Sequence, residues 1–281
     1  MLMKSVNLYT HYGLKAPGGA AGRLHSWTWQ TSDEVSKSRR NPAVLILPGG
    51  AYRFTSERES EPIALRFVNC GYGAFVLEYT CAPHGFPTAL REAAMAMRYI
   101  RENAETFQIN PAMVAVVGFS AGGHLCGTLG MLYDCKEVAD IGPAALLRPD
   151  ALGLCYPVAI SWGKTHEESM LNISQGDHSL RTRLSLENNV RSDMPPVFLW
   201  HTRDDATVPC KNSLILATAL DEAGVDFAFH LYRHGRHGLS TADHLVYPAD
   251  SIPEISWDVA LWHTSMVRFF EEVGFHITDK K

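Results

Sequence analysis

The stretch Met113-Val114-Ala115-Val116-Val117-Gly118-Phe119-Ser120-Ala121-Gly122-Gly123-His124-Leu125 decides the architecture of this 281-residue chain. Its first five residues form an apolar run too short for a helix, which reads as a strand buried on both faces. Gly118 to Gly122 reads as a tight turn, and Gly123 to Tyr133 as the helix that follows. In such a strand–turn–helix unit, small residues two before and two after the serine let strand and helix approach the turn's backbone closely. The serine hydroxyl then stands exposed at the carboxyl end of the strand.

Outward from this unit the same alternation recurs. Short apolar runs lie at Ala43 to Leu47, Ala74 to Leu77, Ala151 to Cys155 and Val197 to Trp200, with Phe227 to Tyr232 more alternating. Between them, Leu90, Ala93, Ala94, Met97 and Ile100 fall at i, i+3, i+4, i+7 and i+10, a helical stripe that packs on a core rather than around a cofactor. Further helices are expected over Lys211 to Ala223 and Trp257 to Glu272. Strand alternating with helix predicts an α/β fold built on a parallel sheet. Leu24 to Trp29 alternates after a Pro17-Gly18-Gly19 turn and reads as a half-buried antiparallel strand. No repeat or Pro/Gly/Ser linker divides the chain, so residues 1–281 are read as one domain. Ser161 to Asn189 is polar and irregular between two strand candidates, a candidate small cap or insertion over the site, about 161–189.

With 46% hydrophobic and 20% charged residues the chain can bury a sizeable core. A formal net charge of -5 argues against nucleic acid or an anionic membrane surface and for a small-molecule partner. The N-terminus has no apolar run, and no segment reaches the roughly 20 apolar residues of a membrane span, so a soluble, cytoplasmic protein is expected. The six cysteines are scattered without a Cys-x-x-Cys pair, which predicts buried free thiols and neither disulfide nor zinc.

A serine hydroxyl is a weak nucleophile and needs a base, and the base needs a carboxylate to orient it. On folds of this kind the chain order is serine, acid, histidine. Arg203-Asp204-Asp205-Ala206-Thr207 follows the strand Val197 to Trp200, which makes Asp205 the acid, with Asp204 as alternative. His234-Gly235-Arg236-His237-Gly238 follows the last strand, which makes His237 the base and His234 its rival. His230, His234 and His237 are also close enough in sequence to suggest metal ligation, but no Glu of a His-Glu-x-x-His motif accompanies them, so no metal is assigned. An oxyanion would need preorganised N–H donors. The Gly-rich turn Pro48-Gly49-Gly50-Ala51-Tyr52 after an early strand offers Gly50, with Gly49 or Ala51 as alternatives, beside the amide of Ala121. That turn lacks the Lys and Ser/Thr of a phosphate-binding loop, and Gly163-Lys164-Thr165 lacks the earlier glycine.

These residues resemble the α/β-hydrolase esterases that include acetyl esterases, acetylxylan esterases and lipase/esterase-like proteins. The resemblance rests on Pro48 to Tyr52, on Gly118 to Leu125, on Pro195 to His201 leading to Asp205-Ala206-Thr207-Val208-Pro209, and on Gly235 to Gly238. It implies an α/β-hydrolase fold with a mostly parallel sheet of about eight strands and helices on both faces. By position it implies Ser120 as nucleophile, Asp205 as acid, His237 as base and Gly50 with Ala121 as donors, with no cofactor. Pro48 stands where lipase-type relatives carry His, and Ala51 where they carry a third Gly. The implied reaction is hydrolysis of short-acyl esters, with acetylated sugars or xylan fragments favoured. A serine peptidase or amidase, or a non-catalytic ligand-binding homologue, is the alternative. His124 is expected to pack behind the turn.

Overall fold

In the computed structural model, which describes residues 1–248 and 257–279, a nine-stranded sheet runs through the molecule. The strands are β1 (Leu2–Asn7), β2 (Arg23–Thr28), β3 (Arg39–Leu47), β4 (Gly73–Glu78), β5 (Ile109–Phe119), β6 (Ala151–Cys155), β7 (Val197–Thr202), β8 (Phe227–Tyr232) and β9 (Thr278–Asp279). Their order is β1-β2-β4-β3-β5-β6-β7-β8, with β9 pairing antiparallel to the start of β3. β1 and β2 are antiparallel to their neighbours, and β4, β3, β5, β6, β7 and β8 are mutually parallel. The alternating strand Leu24 to Trp29 is thus β2, as expected. β1 carries almost no apolar signal because it is an edge strand with three exposed residues.

The helices are α1 (Leu8–Tyr12), α2 (Glu61–Asn69), α3 (Thr88–Glu102), α4 (Ala104–Phe107), α5 (Ala121–Leu132), α6 (Ala144–Leu147), α7 (Glu167–Ser174), α8 (His178–Arg183), α9 (Lys211–Glu222) and α10 (Trp262–Glu272). Because a strand's side chains alternate, each buried run feeds two cores. Leu45, Leu47, Val116, Leu154 and Leu199 pack with α3, α5 and α9 on one face. Val44, Ile46, Val117, Phe119 and Trp200 pack with α2 and α10 on the other, where the Trp200 and Trp262 rings stack at 5.4 Å. Both faces are therefore covered, which is why these strands read as continuous apolar runs.

Three expectations need correction. The helix expected from Trp257 begins at Trp262: Trp257 is largely exposed and Val259–Leu261 is a 3₁₀ turn. Segment 161–189 is not irregular but holds α7, α8 and a 3₁₀ turn at Leu186–Asn188, with Met170, Ile173, Leu184 and Leu186 buried in the first core. The side chains of His166 and Asp177 cap the first two of these helices, a local signal that the polar composition obscures. Of the six free thiols only Cys126 and Cys155 are buried; Cys70, just past the end of α2, is exposed.

Candidate active site

The parallel strands end on one side of the sheet, and there the loops after β3, β5, β7 and β8 meet. Ser120 leaves β5 with φ 53° and ψ −116°, a conformation that costs an L-residue on the order of 1–3 kcal/mol and persists only where surroundings enforce it. The enforcement is steric. A Cβ at Gly122 would overlap the Leu47 carbonyl oxygen, and one at Gly118 the Gly122 carbonyl, so β3, β5 and α5 close on the turn at distances only glycine permits.

Ser120, His237 and Asp205 form a hydrogen-bonded chain. Asp205, 5% exposed, receives the His237 Nδ1–H on Oδ2 at 2.6 Å. The other ring nitrogen, Nε2, is thereby the acceptor and takes the Ser120 hydroxyl at 2.7 Å. Asp205 Oδ1 accepts the backbone N–H groups of Thr207 and Val208, both at 2.9 Å. Burial works to raise the Asp205 pKa, but hydrogen bonds from His201 and His237 and their charges outweigh it and hold the carboxyl well below the usual range. His201 is wholly buried: its Nε2–H donates to the Val208 carbonyl at 2.8 Å and lies 3.4 Å from Asp205, while Nδ1 accepts the Ser213 hydroxyl at 2.7 Å. The alternatives pair elsewhere. His234 is exposed, with its Nδ1 3.0 Å from Asp204, and Asp204 also accepts the Gly235 N–H at 2.7 Å. His230 stacks on Phe198, so the three histidines considered for a metal face different partners.

The turn after β3 lies against Ser120. Gly49 donates its N–H to the Glu59 carboxylate at 2.7 Å, which directs that amide away from an oxyanion and removes it from the candidate donors. The amides of Gly50 and Ala51 have no partner among the described residues, and that of Ala121 opens α5, where no intrahelical acceptor exists. Ala51 and Tyr52 adopt φ 59° and 55°, costly for side-chain-bearing residues. Tyr52 is held there by burial and by its hydroxyl, which donates to His124 Nδ1 at 2.8 Å. His124 in turn donates Nε2–H to the Leu184 carbonyl at 2.8 Å, and burial pushes its pKa down to about 4, so it is a neutral packing residue behind the turn, as expected.

Ser120 and His237 open into a cleft of about 190 Å³, with Gly50, Ala51, Arg58 and His166 among its lining. Sequence reasoning missed Glu59, Tyr156 and His166. Glu59 sits in the polar run Ser56-Glu57-Arg58-Glu59-Ser60-Glu61, indistinguishable from a solvated surface until the fold buries it. His201 was legible only as part of a motif, with no role attached.

Such an arrangement is suited to acyl transfer: a hydroxyl whose proton has an acceptor, an imidazole oriented by a carboxylate, and amides without a partner among the described residues. The comparisons with known proteins agree in kind. Over 226 residues the chain is 37% identical to the Endo-1,4-beta-xylanase B of Butyrivibrio fibrisolvens, a match covering 75% of this chain and 34% of the relative. Over 205 residues it is 30% identical to the Acetylxylan esterase of Xylanibacter ruminicola, covering 70% and 40% respectively. The chain thus spans about a third to two fifths of the length of these curated relatives. Over 97% of both chains it superposes on the acetyl ester-xyloside bifunctional hydrolase of Caldicellulosiruptor lactoaceticus with a TM-score of 0.82 and 34% identity. The fold is that of the α/β-hydrolases, and the BD-FAE family model matches residues 33–220, so the chain belongs to the BD-FAE family.

Proposed function

We propose that this chain hydrolyses short-acyl carboxylic esters through an acyl-enzyme on Ser120. The carrying observation is the unbroken chain from Ser120 through His237 to Asp205, at 2.7 and 2.6 Å. His237 Nε2 takes the Ser120 proton as Oγ attacks the ester carbonyl carbon. The carbonyl oxygen gains the electron pair and is held by the amides of Gly50 and Ala121, with Ala51 as a third donor. As the tetrahedral intermediate collapses, the C–O bond to the alcohol breaks and His237 returns its proton to the leaving oxygen. Water, deprotonated by the same imidazole, then releases the carboxylic acid and restores Ser120. Asp205 stays ionised, fixing the tautomer and stabilising the imidazolium.

A cleft of about 190 Å³ suits an acetyl group better than a long acyl chain. The names of the relatives favour acetylated xylan fragments or sugars as substrates. We take the chain as one domain in which segment 161–189 forms part of the cleft rim, since His166 lies on it. The test is acetate release from acetylated xylo-oligosaccharides, together with p-nitrophenyl acetate, longer p-nitrophenyl esters and acetyl p-nitroanilide. Acetyl esters should be hydrolysed fastest and the anilide barely at all. Hydrolysis of none, or of the anilide foremost, would overturn the proposal.

A further inference from the structure

Glu59 is 3% exposed and carries an ionisable carboxylate to the floor of the cleft, yet the reaction above gives it no step. Its two oxygens bind two different loops. Oε2 accepts the Gly49 N–H at 2.7 Å, and Oε1 accepts the Tyr156 hydroxyl at 2.7 Å. That hydroxyl also accepts the Ser240 N–H at 2.9 Å, three residues beyond His237, and the Tyr156 ring meets the imidazole edge-to-face at 5.2 Å. The same two segments are tied again where the Ser240 hydroxyl donates to the Arg58 carbonyl, and where Arg58 donates to the Tyr247 hydroxyl, which donates to the Gly238 carbonyl.

We infer that Glu59 is a positioning residue that sets the oxyanion-binding turn and the His237 loop in register with one another. Both arms need an acceptor, since an amide N–H and a Tyr hydroxyl that already accepts from Ser240 both point at the Glu59 side chain, which presents one oxygen to each. Gly49 fits the same design: a Cβ there would lie 2.7 Å from Glu59 Oε2, 2.9 Å from the Phe119 carbonyl oxygen and 3.0 Å from Ser120 Cβ, so turn, carboxylate and serine are wedged together. By holding the Gly49 amide, Glu59 turns the chain so that the amides of Gly50 and Ala51 are left unpaired beside Ser120. A tetrahedral oxyanion and an imidazolium must be met simultaneously in the transition state, so relative placement of these loops acts on kcat rather than on substrate binding.

The inference rests on the esterase reading, and the experiment separates the two. Glu59→Gln keeps the shape but supplies one acceptor where two are needed; Tyr156→Phe removes the hydroxyl that links Glu59 to Ser240 and leaves the Gly49 arm in place. Both are compared with wild type and Ser120→Ala on p-nitrophenyl acetate, with rates normalised to sites titrated by a fluorophosphonate and with the affinity of phenylboronic acid, whose adduct on a serine oxygen is tetrahedral and anionic. In Glu59→Gln, kcat per titrated site should fall about 10- to 100-fold with KM changed less than about twofold, and phenylboronic acid should weaken by a similar factor. Tyr156→Phe should shift the same quantities in the same direction by less. Wild-type kcat per titrated site and wild-type boronate affinity in both variants would overturn the inference, even if less folded protein were recovered. If Glu59→Gln does not fold, Tyr156→Phe decides by the same two readouts. If Ser120→Ala keeps its activity, the esterase reading itself fails, a result independent of either variant.

Discussion

Replacing Asp205 by Asn probes the orientation of His237 without changing the shape of the site. The amide has two ways to sit. With its oxygen on the Thr207 and Val208 N–H groups, both bonds at 2.9 Å survive and the NH₂ faces His237 Nδ1. Reversed, the NH₂ confronts both N–H donors, and the buried one at Val208 costs about 1–3 kcal/mol when left without a partner. The first orientation therefore prevails, and it makes Nδ1 an acceptor. The ring proton then moves to Nε2, the nitrogen that otherwise takes the Ser120 hydroxyl at 2.7 Å. A ring protonated at Nε2 accepts nothing from Ser120, so kcat on p-nitrophenyl acetate should fall about 10⁴-fold, roughly 5 kcal/mol of transition-state stabilisation. KM should change little, and circular dichroism should show a native fold. A folded Asp205→Asn protein with kcat within about tenfold of wild type would refute the tautomer argument.

Ser120→Gly should be more thermally stable than Ser120→Ala by about 1 kcal/mol, read as a higher Tm, because φ 53° suits glycine; equal Tm values would mean the turn is not strained. Gly122→Ala should fail to fold or lose at least about 3 kcal/mol in urea unfolding, since its Cβ meets the Leu47 carbonyl; near-wild-type stability would show that β3 and α5 can separate. His124 has its pKa depressed in the folded protein to about 4 from 6.5, so the unfolded chain binds the proton first. Wild type should therefore lose stability as pH falls from about 6.5 to about 4, by about 3 kcal/mol from this ring at the lower end. His124→Gln should show a correspondingly flatter profile between those pH values, and an unchanged slope would mean that the ring titrates normally.

The parts of the fold that could be read in advance are those where burial on both faces leaves a long apolar record: β3 to β7 and the helix stripe Leu90 to Ile100. Where burial is one-sided or absent the record fades. β1 is an edge strand, and β9 is two residues long. Ser120, Asp205 and His237 could be proposed in advance because a tight turn at a strand end imposes its own residue types and the fold its own chain order. Glu59 and Tyr156 could not, because each gains its role only from a partner distant in sequence: Tyr156 meets Glu59 across 97 positions, and Ser240 meets Tyr156 across 84. The choice of Asp205 over Asp204 had a similar basis. Adjacent aspartates look alike in sequence, and the loop geometry sends one to His237 and the other to His234.

The most direct test is to trap the residue proposed to carry the acyl group. The protein is incubated with a fluorophosphonate and its peptides are mapped by mass spectrometry, alongside His237→Ala. The account predicts one adduct per chain, on Ser120, formed in step with loss of p-nitrophenyl acetate hydrolysis and greatly slowed in the His237 variant. An adduct on another residue, or full hydrolysis persisting after Ser120 is stoichiometrically labelled, would contradict it.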